Sequence, residues 1–218
     1  HPRGPQEPGP CGPGAHQQRH SPAGGPEPVG RRLLSAVLER YLIEQGAATL
    51  AGLKTASLFC LPLEDPDWRA QTAGWDRSLA QKGLRLLPLR CQAGRALLYL
   101  YRPSQLQADL DCPGVGELLA RYGYESTRAE DALSRLCQRL EEQGGFPHEI
   151  GLFLGYPLGD VEGFIRNRGQ NCKCAGCWKV YCNELEAQKR FARIQKCRKV
   201  YARLWAQGRS VWQLTVAA

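Results

Sequence analysis

The chain has 218 residues, with 29 Lys+Arg against 21 Asp+Glu, 24 Gly, 15 Pro, 10 Cys and no Met. A composition of 43% hydrophobic and 23% charged residues excludes collagen-like, coiled-coil and wholly disordered classes. No apolar run approaches the ~20 residues that span a bilayer, and the length fits one domain of about 100–200 residues plus an appendage.

Residues 1–30 hold 8 of the 15 Pro and 7 of the 24 Gly. Such a segment buries too little apolar surface to offset its ordering entropy, so it is expected to be a disordered tail ahead of a single domain over 31–218. It has no continuous apolar core of the secretory type. The chain does not begin with Met, which leaves a removed leader open. His1, His16 and His20 in this segment read as solvated side chains rather than as a metal site.

The domain opens with an amphipathic helix over 31–45, whose apolar face is Leu34, Val37, Leu38, Tyr41 and Leu42 and which Gly46 is expected to close. An apolar run at 56–61, ended by Pro62, reads as a buried strand. A helix over 65–83 presents Trp68, Thr72, Trp75 and Leu79 on one side. Residues 84–90 and 95–102 read as a hairpin, and Pro88, which lacks an N–H, places the first of these strands at a sheet edge. Helices are expected over 103–109, 115–122, 127–143, 147–154 and 157–168, the last two begun by Pro147 and Pro157. Gly151, Gly155, Gly159 and Gly163 recur every fourth residue, a spacing that permits close backbone approach. A short strand at 178–181, a long helix over 184–207 and a helical turn or two over 210–216 complete the chain. The class is α+β: a small sheet of three to four strands with a helix-rich C-terminal half.

Charge is unevenly spread. Residues 31–150 carry 15 basic and 15 acidic groups, whereas 151–218 carry 12 basic and 4 acidic, so the whole net charge of +8 sits in the last 68 residues. That asymmetry points to an anionic partner. Ten Cys with no visible export signal argue for a reducing compartment, hence a cytoplasmic protein. Cys60, Cys91, Cys137 and Cys197 lie among aliphatic residues and read as small buried hydrophobes.

The run Gly-Phe-Pro-His-Glu-Ile-Gly-Leu-Phe-Leu-Gly-Tyr-Pro at 145–157, followed by Asp160-Val161 and Gly163-Phe164-Ile165, resembles the hallmark of a bacterial family, domain-of-unknown-function family three-seven-nine-three, found mainly in Firmicutes. Trp178-Lys179-Val180-Tyr181, Lys196-Cys197-Arg198 and the segments around Leu53 to Phe59 and Arg95 to Pro103 extend the likeness over roughly 33–216. The resemblance implies no reaction, substrate or catalytic residue. It does imply a link to redox or metal physiology.

Four constellations carry chemistry. Cys172, Cys174, Cys177 and Cys182 are soft ligands that could bind a metal, yet only Cys174 and Cys177 have the usual two-residue knuckle spacing; plain or reactive thiols, a metal site and a disulfide all stay open. Lys173 and Lys179 are expected to lower the pKa of these thiols. His148 and Glu149 are candidates for acid–base catalysis, against a structural role in starting a helix. Residue 152 is Leu, so no zinc-protease motif is present. Lys189, Arg193, Lys196, Lys199 and Arg203 line the outer face of the long helix and could hold an anionic partner, nucleic acid included, or simply solvate it. Lys54, ahead of the first strand, is a candidate for a phosphate or carboxylate. No nucleophile-elbow, phosphate-loop, kinase or dinucleotide pattern occurs. The leading expectation is a binding or accessory protein in redox or metal physiology, with a pocket near His148, Tyr156 and the cysteine loop; Lys54, Trp178 and Lys179 complete the ligand-binding candidates. An enzyme using His148 or a loop cysteine, and a nucleic-acid-associated protein, are the alternatives.

Overall fold

The computed structural model describes residues 29–218. The expected tail with its three histidines and Cys11 lies outside them, as does the side chain of Leu34. Helix α1 (Val29–Leu50) leads into strand β1 (Ala56–Pro62), helix α2 (Trp68–Ala80) and the hairpin β2 (Arg85–Gln92) and β3 (Arg95–Tyr101). Helices α3 (Pro103–Leu110), α4 (Val115–Ala120), α5 (Ala129–Glu141), α6 (Ile150–Phe153) and α7 (Leu158–Arg166) follow. A two-residue ladder, β4 (Cys174–Ala175) with β5 (Lys179–Val180), precedes helix α8 (Glu184–Ala206) and the final turn α9 (Val211–Leu214). The class is α+β, and no described helix is long and apolar enough to cross a membrane.

The main sheet is antiparallel in the order β1-β3-β2. Because side chains alternate across a strand, the central strand feeds two separate cores. Ala96, Leu98 and Leu100 face a core built with α1, α2 and α9; Leu97, Tyr99 and Tyr101 face one built with α3 to α7. Burial on both faces explains the unbroken apolar run of β3. Pro88 does lie on an edge strand, where no neighbour needs its missing N–H, and the register shifts between Pro88 and Arg90, a bulge that suits such an edge. A third, smaller core joins Ala48 of α1 to Trp178 and Val180 of the ladder and to Ala187, Phe191 and Ile194 of α8.

Several sequence expectations need correction. Gly46 does not close α1, which continues to Leu50 and ends where Gly52 adopts φ +78°. Gly46 serves a close approach instead: a Cβ there would lie 2.7 Å from Leu100 Cδ2, and Leu100 is fully buried. The helix expected over 147–154 shrinks to Ile150–Phe153, with residues 147–149 in a turn, and Pro157 takes the N-cap of α7 rather than its first turn. Cys60 and Cys91 are exposed and Cys137 half-buried; of the four cysteines expected inside, Cys197 alone is buried.

Arg102 closes the sheet against the helices. Its guanidinium is buried and donates to the carbonyls of Thr49 (2.8 Å), Leu50 (2.9 Å) and Val216 (2.7 Å). Two of these acceptors also take a backbone N–H, Thr49 O from Gly52 (3.1 Å) and Leu50 O from Val216 (2.9 Å), so Arg102 adds a second donor at the end of α1 and ties it to the 211–218 segment. Lys82 adds bonds to the Trp212 and Thr215 carbonyls. In Gly46→Val the new side chain must displace Leu100, and overpacking of this kind costs about 1–3 kcal/mol. Urea denaturation should show that loss as a lower midpoint with an unchanged slope.

Candidate functional site

The site is organised by Asp160, a carboxylate on α7 that is 3% exposed. Its oxygens accept from Trp178 Nε1 (2.8 Å), Tyr181 N (2.8 Å) and Cys182 N (2.9 Å). Three donors from one short segment meet one buried charge, which is the arrangement that keeps a carboxylate in a protein interior. The cysteine-rich ladder is thereby fixed to α7. The glycine row on this side of the molecule makes the fit possible: Cys182 packs on Gly159, Tyr181 on Gly163, and Val161 with Tyr156 on Gly151, each where a Cβ would collide.

Trp178 becomes the pivot. Its ring stacks on Tyr156 at 5.0 Å, meets Phe191 edge-on at 4.6 Å and is covered by the Arg190 guanidinium at 4.8 Å. Tyr156 donates from its hydroxyl to the Cys177 carbonyl at 3.3 Å. Burial, with Cys177 adding and Arg198 opposing, pushes Tyr156 up to about 12, so it stays a neutral phenol at physiological pH.

Beside this pair lies a cavity of about 300 Å³. Ile150, Gly151, Val161, Phe164, Tyr156 and Trp178 form its apolar walls, with Phe146, Asp160, His148 and Lys179 completing the lining. His148 packs against Phe164 with ring centroids 5.1 Å apart and is exposed. Lys179 donates to the Gly169 carbonyl at 2.7 Å and lies 5.8 Å from the Phe164 ring. Of the ligand-binding candidates read from the sequence, His148, Tyr156, Trp178 and Lys179 therefore come together at one cavity.

Glu149 does not join them. It is fully buried and paired with Arg139 at 2.9 Å, and its Oε1 accepts from the Tyr124 hydroxyl at 3.2 Å. The pairing raises Arg139, led by the Glu149 hydrogen bond, and Tyr124 is raised first by burial. Adjacent positions on a tight turn send the two side chains to different neighbours, so His148 and Glu149, the candidates for acid–base work, do not face each other.

The cysteines also separate. Among the described residues no three His, Cys, Asp or Glu side chains are placed to hold a metal ion, and the described cysteines are free. Cys174 and Cys177 pack against the third core, while Cys182 lies on Gly159 of α7. Cys172, Cys174, Cys177 and Cys182, for which thiol, metal and disulfide readings stayed open, are therefore not brought together as one ligand set among the described residues. The lysines expected to favour thiolates are engaged by carbonyls, Lys173 on Cys182 O at 2.9 Å and Lys179 on Gly169 O. Burial raises Cys174, and burial together with Asp160 raises Cys182, which disfavours a reactive thiolate at either.

Lys54 sits in the turn before β1 with its ammonium 5.4 Å from the Tyr156 ring centroid, an attractive arrangement. Burial lowers its pKa from the ordinary 10.5 to about 8, with Arg198 and Arg190 adding and Cys177 opposing. On α8, Lys189, Arg193, Lys196, Lys199 and Arg203 are all exposed, opposite the buried Ala187, Phe191, Ile194 and Cys197. Lys189 pairs with Glu186 at 2.9 Å; the other four have no carboxylate partner among the described residues.

Sequence reasoning missed Asp160 and Arg190. A lone Asp two positions inside a helix start reads as a favourable dipole charge, and nothing local says that donors 18 to 22 residues away will converge on it.

Replacing Asp160 by Asn removes the charge and leaves backbone donors poorly matched. The expected cost is about 2–4 kcal/mol, with faster amide exchange at Tyr181 and Cys182 and unchanged exchange in β3. Lys54 yields a pH signature. Its folded pKa lies below the unfolded one, so the unfolded chain binds more protons at this site between about pH 8 and 10.5, and its contribution to stability rises with pH across that window. Urea midpoints for wild type minus Lys54→Met should therefore move in favour of wild type from pH 8 to pH 10.5, and stay level below pH 8.

No curated protein and no solved structure matches the chain. A family described as protein of unknown function, DUF3793, matches residues 42–215. That stretch runs from the buried half of α1 to the segment that Arg102 holds, and it includes the Asp160-anchored ladder and the cavity beside it. The chain belongs to this family.

Proposed function

We propose that the protein binds a small, ring-bearing, largely apolar molecule in the cavity beside Trp178, with an acceptor or anionic group of that molecule at the rim next to His148 and Lys179. The observation that carries this reading is the cavity itself: about 300 Å³, walled by Phe164, Tyr156, Trp178 and aliphatic side chains, with few polar groups. Small-molecule sites have this make-up, an apolar enclosure with a few polar groups that fix orientation. Aromatic walls favour a flat ring through offset or edge-on contacts. The buried Asp160 faces the same cavity but is engaged by three donors, so the rim cations are left to set the ligand's polarity.

The reading keeps the binding or accessory role drawn from the sequence and moves it from a metal to an organic ligand. It is favoured over catalysis through His148 because the neighbouring carboxylate, Glu149, is held by Arg139 and Tyr124. A cytoplasmic, redox-linked setting would follow from the nature of the ligand.

Native mass spectrometry of the purified chain, followed by a thermal-shift panel of aromatic carboxylates and uncharged analogues, tests the proposal. A retained or stabilising ring compound is expected. His148→Ala should weaken it about tenfold, the scale of one hydrogen bond to a charged group. Phe164→Ala, at a half-buried aromatic wall of the cavity, should weaken it at least about tenfold while circular dichroism stays native. Binding that survives Phe164→Ala unchanged, or a panel in which no compound binds, would refute the reading.

A further inference from the structure

A second set of charged groups gathers around the Tyr156–Trp178 pair without lining the cavity. Lys54 comes from the turn between α1 and β1, where Leu53 N donates to Ala48 O at 2.8 Å. Arg190 and Arg198 come from α8, eight residues and so about 12 Å of rise apart. Lys54 covers Tyr156 and Arg190 covers Trp178, while the two rings stack on each other. Arg198, exposed, lies one helical turn on from Ile194, which packs with Ala48 and Trp178 in the third core, and its charge acts on Lys54 and Tyr156.

No described carboxylate pairs with any of the three cations. Asp109 accepts from Thr55, and Asp160 is taken by Trp178, Tyr181 and Cys182. Cys177 is the one acidic neighbour that favours the charge on Lys54. Ring contacts at Lys54 and Arg190 leave N–H groups open, since among the described residues the Lys54 ammonium has no hydrogen-bond acceptor and Arg190 only a long one, 3.5 Å, to Gly155 O. Two half-buried cations, Lys54 and Arg190, and the exposed Arg198 repel one another, an arrangement that an anion placed among them reverses into mutual attraction.

We propose that Lys54, Arg190 and Arg198 form a binding site for a phosphate group, beside the aromatic pair and separate from the cavity. A dianion matches this much uncompensated positive charge better than a single carboxylate. Arginine forks recognise phosphate oxygens in pairs, and lysine adds a compact charge. The site does not depend on what fills the cavity, because its residues and its readout are different.

Titration of the full chain with inorganic phosphate, at constant ionic strength balanced with sodium chloride, tests the site. Protection of Lys54 from reductive methylation is followed by mass spectrometry. Phosphate is expected to slow Lys54 methylation severalfold. Lys54→Gln and Arg198→Gln should each weaken phosphate stabilisation in thermal shift by about tenfold; the exposed Arg198 keeps the test valid if Lys54→Gln folds poorly. Lys196→Gln, on the outer face of the same helix, should change nothing. A parallel titration with phenyl phosphate separates the sources: tighter binding than the free ion assigns an esterified phosphate, and equal binding assigns the ion itself. Unchanged Lys54 methylation at tens of millimolar phosphate, or an equal loss in Lys196→Gln, would overturn the proposal.

Discussion

One buried carboxylate decides the shape of the candidate site. Asp160 draws the Trp178 indole and two successive backbone amides onto α7, and so sets the side of the cysteine-rich ladder that faces the cavity. A ladder of two residues per strand is far below the size that stands alone in water. Its position is therefore set by this charge and by the third core, where Val180 and Trp178 meet Ala187, Phe191 and Ile194. With Trp178 placed, Tyr156 has a stacking partner, and the cavity gains its wall.

The same ordering explains why the glycines of this region matter. Tyr181 and Cys182, just past the ladder, rest on Gly163 and Gly159 of α7, while Val161 of α7 and Tyr156 rest on Gly151 of α6. Gly155 has a different duty. It adopts φ +75° at the turn between the two helices, with Thr55 and Asp109 packed against it. The spacing of four is thus a consequence of two short helices meeting one hairpin rather than of a continuous helical seam.

The α+β class, the hairpin, the edge position of Pro88 and the two-sided α8 were legible because each is written in local pattern: alternation, a missing N–H, and a 3.6-residue stripe. The pocket residues His148, Tyr156, Trp178 and Lys179 were also legible as a group, though by proximity to the cysteine loop rather than by any motif. What sequence could not show is long-range pairing. Gly46 reads as a helix stop until Leu100, 54 residues on, is seen to occupy the space above it. The cysteine cluster is local in sequence, whereas the Asp160 carboxylate that fixes the ladder lies 18 to 22 residues from its donors. Arg102 reads as a strand-end charge, whereas it serves carbonyls from Thr49, Leu50 and Val216.

The division of β3 between two cores limits how this chain can vary. Residues two apart on that strand share a neighbourhood, so one can grow as the other shrinks and the volume on each side is kept. A single inserted or deleted residue has no such remedy. It would send Leu98 and Leu100 into the compartment of the tyrosines, and Tyr99 and Tyr101 beneath α1, exchanging the contents of both compartments in one step. Length changes are tolerable in the neighbouring β2, where the irregularity after Pro88 already absorbs an unmatched residue. In this chain β3 is thus constrained more tightly in length than in composition.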